Sequence, residues 1–231
     1  MDADLAEAWS PQGAALIDHL EGRRPAVVSV LATGGEPEEV DAAVFFRPPE
    51  SMATWETTAL GLCGDRVLDV GAGAGCHSLA LQLRGARVTA LDTCPACVEV
   101  MQRRGVVDAR LGPVAQVEDG PFDSLLYLMH GIGVVGDREG LRWMLADAHR
   151  LVSPGGSILL DSRDPGSSCN DDEGFGVAEL AITYRGSRGA AFSWLFVSAA
   201  ALARESAPVG WRTDVVCTEP DGRYLAQLIR S

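Results

Sequence analysis

Residues 67–77 read Val-Leu-Asp-Val-Gly-Ala-Gly-Ala-Gly-Cys-His, an apolar run closed by a carboxylate, three alternating glycines and an imidazole. Such a run predicts a strand, a tight turn and a helix start. Glycine is required there because the turn is sharp and a ligand must come close to the backbone. About twenty residues further on, Asp92 closes a second apolar run, where a carboxylate can accept hydrogen bonds from ribose hydroxyls. The dinucleotide pattern Gly-x-Gly-x-x-Gly, counted from Gly71, puts its third glycine at position 76. Here that position is Cys76 and the glycine falls at Gly75. Asp69, just before the turn, suits a ligand bearing an ammonium group and repels a pyrophosphate. The turn therefore suits a nucleoside ligand carrying an ammonium group better than a dinucleotide.

Two further residues are candidates for chemistry. His130 lies in Leu128-Met129-His130-Gly131, after a strand-like run and where ligands bind in open α/β sheets. It is placed to act as a general base near neutral pH, or to pack against a cofactor. Arg47, in Phe45-Phe46-Arg47-Pro48-Pro49, is placed to pair with a carboxylate of cofactor or substrate, or to be a solvated loop residue. Phe46 would accompany it as an apolar wall. His77 begins a helix, where protonation is disfavoured, and a contact on the cofactor side or plain packing is expected of it. His19 and His149 fall in helical patterns away from these groups. Of six cysteines only Cys94 and Cys97 form C-x-x-C, and the second pair or ligand-spaced histidines of a zinc site are missing. Both read as helix-start residues directly after Asp92.

The elements that must position these groups follow from pattern. An amphipathic helix is expected around Ala14–His19, a Gly/Pro/Glu-rich break over Thr33–Glu39, a strand or loop over Ala43–Pro49, and a helix over Ser51–Leu62. Strands are expected at Val67–Val70, Arg87–Leu91, Val107–Leu111, Phe122–Leu128 and Ser157–Asp161. Helices over Ser78–Leu83, Val98–Arg103 and Gly140–Leu151 separate them, the last stopped by Pro154-Gly155-Gly156. Strands alternating with helices in this way mean parallel βαβ units, an α/β doubly wound fold. After a polar loop over Ser162–Gly176, a hairpin is expected from Val177–Tyr184 and Phe192–Val197. A helix over Ala199–Arg204 and two strands, Arg212–Cys217 and Tyr224–Ile229, complete the chain.

Composition narrows the partners. The chain has 231 residues, 47% hydrophobic, with a formal net charge of −13, enough apolar content for a core. An acidic surface repels phosphate backbones, so nucleic acid is not an expected partner. No apolar run reaches membrane-spanning length, and the start, Met1-Asp2-Ala3-Asp4, lacks the basic region of a secretory signal. A soluble, cytoplasmic protein without membrane attachment is expected.

The glycine turn resembles motif I of the class I S-adenosylmethionine-dependent methyltransferases. Asp92 matches the acidic position after the second strand, Phe122-Asp123-Ser124-Leu125-Leu126 the fourth-strand motif, and Leu151 to Leu160, through Pro154-Gly155-Gly156, the helix–Pro-Gly-Gly–strand signature. The resemblance covers roughly residues 64–162. It implies a Rossmann-like sheet of seven strands, mostly parallel with a C-terminal antiparallel strand, and a β-hairpin insert after the fifth strand. Residues 1–231 would form one domain: 1–63 a helical lid segment, 64–162 the cofactor core, 163–198 a substrate-side insert, 199–231 the closing helix and strands.

The same resemblance implies S-adenosylmethionine as cofactor. Gly71, Ala72 and Gly73 would hold its methionine portion, Asp69 its amino group through water, Asp92 the ribose, and Thr93 the adenine. His77, Leu128 and Met129 would line the cofactor side. The family often has an acid after the third strand that binds the adenine amine. Pro113 stands there instead, leaving packing near Val114. His130 and Arg47 would serve catalysis, Arg163 and Asp164 would point toward the cleft, and the hairpin carrying Tyr184, Arg185, Arg188, Phe192 and Trp194 would cover the substrate side, with Phe192 itself read as hairpin core. The implied activity is methyl transfer to oxygen or nitrogen of a small molecule or short peptide, in natural-product tailoring, by a monomer or homodimer. An NAD-dependent oxidoreductase and a non-catalytic binding module are the alternatives.

Overall fold

A computed structural model describes residues 2–166 and 173–231. Cys169 and the middle of the expected Ser162–Gly176 loop lie outside the described residues. The chain begins with α1 (Asp2–Leu20), β1 (Val27–Ala32) and β2 (Glu38–Asp41). Then follow α2 (Thr54–Leu62), β3 (Arg66–Val70), α3 (Cys76–Leu83), β4 (Arg87–Asp92), α4 (Pro95–Arg104), β5 (Asp108–Leu111), β6 (Phe122–Tyr127), α5 (Arg138–Leu151) and β7 (Val152–Arg163). The remaining elements are β8 (Phe175–Tyr184), β9 (Ser187–Arg188), β10 (Phe192–Val197), α6 (Ala199–Ser206), β11 (Trp211–Thr218) and β12 (Arg223–Arg230).

Seven strands form one sheet in the order β11-β12-β7-β6-β3-β4-β5. β4–β5 and β6–β7 are parallel pairs. β12 is antiparallel to both of its neighbours, so β11 runs with β7 again. This is the doubly wound α/β sheet expected from the sequence, with its antiparallel C-terminal strand. The order reverses at β3, whose end carries Asp69, and at such a reversal open α/β sheets bind their ligands.

Four local expectations are corrected. Val27–Ala32 and Glu38–Asp41 pair as an antiparallel hairpin around the Thr33–Glu39 break, with Val28 opposite Val40. The expected insert hairpin is part of a second sheet, ordered β10-β8-β1-β2, with β9 pairing β8. β1 pairs β8 across more than a hundred residues of sequence, Val30 opposite Ile182, which no local pattern announces. Ala42–Phe45 and Pro49–Ser51 are 3-10 turns, and α2 starts only at Thr54. Finally, Pro154-Gly155-Gly156 lies inside β7. α5 ends at Leu151, and the pairing with β6 jumps from Phe122–Val152 to Ser124–Ser157, which lets the three residues bulge out.

Residues 1–52, 69–116 and 179–192 form one compact body; residues 53–68, 117–178 and 193–231 form another. The first is built on α1 and α4. Gly13 of α1 lies so close to α4 that a Cβ there would meet Cys94 Sγ at 2.6 Å. Leu16, Val28, Val100 and Ile182 fill its core. In the second, Leu126 of β6, Leu159 of β7 and Leu228 of β12 are fully buried. α5 buries Leu141, Met144, Leu145, Ala148 and Leu151, one face at helical spacing. Its N-terminus is capped by Asp137, which accepts from the Gly140 N–H at 2.9 Å. Among the described residues no helix is long and apolar enough to cross a membrane.

Candidate functional site

The glycine turn lies in the first body. Gly71, Gly73 and Gly75 have φ of +70, +57 and +77°, in the left-handed region glycine occupies freely. The turn is tied back to β4 by the Gly71 and Ala72 N–H groups, which donate to the Leu91 carbonyl at 2.8 and 3.0 Å. The carboxylate of Asp92 closes it, accepting from the Gly73 N–H at 2.8 Å and from the Cys94 N–H at 2.9 Å. Burial raises the Asp92 pKa, and these N–H groups oppose the rise.

The three glycines differ in what surrounds them. A Cβ on Gly71 or Gly73 would meet no atom within 4 Å, whereas one on Gly75 would meet Val106 Cγ2 at 2.8 Å. Gly75 therefore serves packing of α3, the purpose of the third glycine in dinucleotide sites, although it is one position early. Gly71 and Gly73 leave their side of the backbone open.

Asp69 is 2% exposed. One oxygen accepts the Ser78 hydroxyl at 2.6 Å. Burial pushes the Asp69 pKa up, against the charge interaction with His77 and the Ser78 hydrogen bonds. Two carboxylates, an open glycine turn and Thr93, half-buried beside Asp92, fit a nucleoside with a cationic tail and do not fit a pyrophosphate. Val114 begins a 3-10 turn after β5, and the Gly112 N–H donates to the Asp92 carbonyl at 2.9 Å. Cys94 and Cys97 are buried in the first turn of α4. Their mutual hydrogen bond brings the Cys94 thiol down to about 7 and drives Cys97 up.

The same body holds Arg47, whose guanidinium donates to the Val44 carbonyl. Phe46 stacks on His19 with ring centroids 4.4 Å apart, and Arg104 lies over its ring at 4.6 Å. Arg104 donates to the carbonyls of Ala74, Phe45 and Phe46, so one α4 side chain clamps the glycine turn to the segment before α2. Tyr184 and Arg185 both bind Asp18 of α1 at 2.8 Å, and Phe192 packs on Trp9. These hairpin residues are structural ties to α1.

Leu128, Met129 and His130 lie in the second body. Leu128 is buried, and Met129 and His130 both have left-handed backbone, φ 62 and 59°. Each such non-glycine residue costs of order 1–3 kcal/mol and needs surrounding structure to hold it. The holder is Asp161, fully buried at the end of β7, whose two oxygens accept the His130 N–H at 3.0 and 2.9 Å. The His130 Nε2 lies 2.8 Å from Arg223 Nη2. Arginine can only donate, which assigns the ring proton to Nδ1. Nδ1 has no hydrogen-bond partner and is 3.7 Å from Asp161 Oδ2. Burial, then Arg223 and Arg163, lower the His130 pKa to about 4, so the imidazole is neutral at pH 7. Arg223 also covers the Trp55 ring at 4.9 Å.

Ser78, Arg104, Trp55, Asp161 and Arg223 escaped the sequence reading. Asp161 did carry a signal, since it closes an apolar strand as Asp69 and Asp92 do. Arg104, Trp55 and Arg223 carry none, because their partners are distant in sequence.

Comparison with known proteins follows the same lines. The sequence profile described as a methyltransferase domain matches residues 67–156. A crystal structure of a SAM-dependent methyltransferase from Bacteroides fragilis, in complex with S-adenosyl-L-homocysteine, is 32% identical with a TM-score of 0.88. The match covers 98% of this chain and 96% of that one. A cypemycin N-terminal methyltransferase from Streptomyces sp is 29% identical over 122 residues, 51% of this chain and 50% of that protein. A ubiquinone biosynthesis O-methyltransferase from Xanthomonas oryzae pv. oryzae is 35% identical over 111 residues, 45% of each. The chain thus spans about half the length of the curated relatives it matches.

Proposed function

The chain belongs to the S-adenosylmethionine-dependent methyltransferases, and we propose that it methylates an oxygen or nitrogen of a small molecule or short peptide, as a natural-product tailoring enzyme. The observation carrying this reading is the glycine turn held by Asp92, with nothing beside Gly71 and Gly73. The similar cypemycin and ubiquinone enzymes, by name an N-terminal and an O-methyltransferase, support both acceptor atoms. Bound S-adenosylmethionine supplies an electrophilic methyl carbon on a positively charged sulfur.

In this reading Gly71, Ala72 and Gly73 bind the methionine portion and Asp92 the ribose hydroxyls. Thr93 and Val114 pack on the adenine. Asp69, held by Ser78, faces the amino group, and His77 lines the cofactor side. His130 serves the acceptor. A neutral imidazole with a pKa of about 4 is a weak base, so His130 contributes as a neutral group that positions the acceptor, not by taking its proton. Alignment of the acceptor supplies most of the rate. The formal charge of −13 favours cationic or neutral acceptors over nucleic acid.

Two measurements test the proposal. Calorimetric titration should show S-adenosylhomocysteine binding and no NAD binding, with affinity lost in Asp92→Ala. Labelled S-adenosylmethionine offered with a library of amines, phenols and carboxylic acids should yield labelled O- or N-methyl product. Label appearing on carbon, or only on nucleic acid, would overturn the acceptor assignment.

A further inference from the structure

Arg163 and Arg223 are register partners in the antiparallel β7–β12 pair. Like charges directly opposite each other in a ladder are destabilising. The chain has only 19 basic residues against 32 acidic, so two facing guanidiniums at one ladder end need a reason. Other arginines of the molecule can be paired closely. Arg110 grips Asp108 through Nε at 2.8 Å and Nη2 at 2.7 Å. Arg163 and Arg223 have no such grip. The Arg163 Nη2 is 3.5 Å from Asp221, and the Arg223 Nη1 is 3.7 Å from Asp161, both beyond a strong charge-assisted hydrogen bond. Asp161 already spends both oxygens on the His130 N–H. Arg223 is held in place, between the Trp55 ring and the His130 Nε2, with its side chain 22% exposed, and Arg163 is 45% exposed. One guanidinium is thus immobilised and partly desolvated, the other is accessible, and both retain N–H groups.

We propose that Arg163 and Arg223 form an anion subsite that binds a carboxylate carried by the methyl acceptor. The inference rests on the reading of the His130 side as the acceptor side. The planar forks of two guanidiniums match the two oxygens of a carboxylate, and a bound carboxylate relieves the repulsion between the facing charges. The acceptor class is therefore a small carboxylic acid, whose own charge is answered locally on an otherwise acidic protein.

The test uses the full-length protein saturated with S-adenosylhomocysteine, titrated calorimetrically with benzoate, benzylamine and inorganic phosphate. Benzoate should bind and the other two should not. Arg163→Gln should weaken benzoate about tenfold, the loss expected of one charge-assisted hydrogen bond, while its melting temperature stays level or rises because the like-charge pair is gone. Arg223→Lys, which keeps the charge but not the fork, should also weaken benzoate. A merely structural Arg163 would do the reverse, lowering the melting temperature and leaving benzoate binding intact, and that would overturn the proposal. Benzylamine or phosphate binding as well as benzoate, or no benzoate binding to a protein that binds S-adenosylhomocysteine, would overturn it too. Failure to bind S-adenosylhomocysteine would count against the cofactor assignment instead, and benzoate titration of the free protein would still decide the subsite.

Discussion

The turn at Gly71–Gly75 and the turn at Met129–His130 both use left-handed backbone, and they obtain it in opposite ways. The first places glycine at each left-handed residue, so the conformation costs little by itself, and contacts with the adjoining Leu91 and Asp92 help to fix it. The second puts two side-chain-bearing residues there and depends on Asp161, 31 residues on, and Arg223, 93 residues on. A binding turn whose backbone approaches a ligand needs the absence of side chains. A turn that aims an imidazole needs the side chain, and tertiary contacts must hold the resulting strain.

The sharpest way to break this contrast is Asp161→Ala. It frees the His130 N–H and leaves Arg223 without its buried counter-charge, and urea unfolding should show a loss of about 4 kcal/mol. An unchanged unfolding midpoint would mean that the turn holds itself. Within the glycine turn, Gly75→Ala should cost about 3 kcal/mol, from backbone strain plus the clash with Val106. Gly71→Ala should cost only about 1 kcal/mol, yet abolish measurable S-adenosylhomocysteine binding in calorimetry. Equal stability losses in the two variants would erase the distinction between packing and binding glycines.

The turns also respond differently to acid. The native His130 pKa of about 4 lies below its ordinary value of 6.5, so the unfolded chain binds that proton first. Stability should fall as pH drops from about 6.5 to 4, by about 2 kcal/mol after allowing for partial exposure. Asp69 and Asp92, with raised pKa values, act in the other direction. Their ionised forms are disfavoured in the native state, so protonating them at low pH restores stability. The difference between wild type and His130→Gln across this range isolates the histidine, and a pH-independent difference would contradict the assignment. The smallest effect expected is that of Ser78→Ala, about 1 kcal/mol, with a further rise of the Asp69 pKa readable by carbonyl NMR.

How legible each region was in the sequence follows from the same contrast. Asp69, Gly71, Gly73 and Asp92 announce themselves because strand, turn and helix lie within one contiguous βαβ unit, where apolar period and glycine placement are local properties. His130 was visible as a residue type after a strand, but its protonation state was not, since that depends on burial and on Arg163 and Arg223. Arg47 read as a candidate from its position before α2, while its contact with the Val44 carbonyl belongs to the folded segment. The β1–β8 pairing was invisible because two strands far apart in sequence share no turn signal.

By itself, then, the sequence determined the doubly wound α/β sheet, the S-adenosylmethionine turn and the family, all of which rest on patterns repeated over a few adjacent residues. Only the tertiary structure decided that a second sheet joins the insert hairpin, through β8, to the N-terminal hairpin. It also decided that burial, Arg223 and Arg163 hold His130 neutral, and that Arg163 faces Arg223. Those arrangements are fixed by long-range strand register and burial, which set distances and charges between residues that have no sequence relationship.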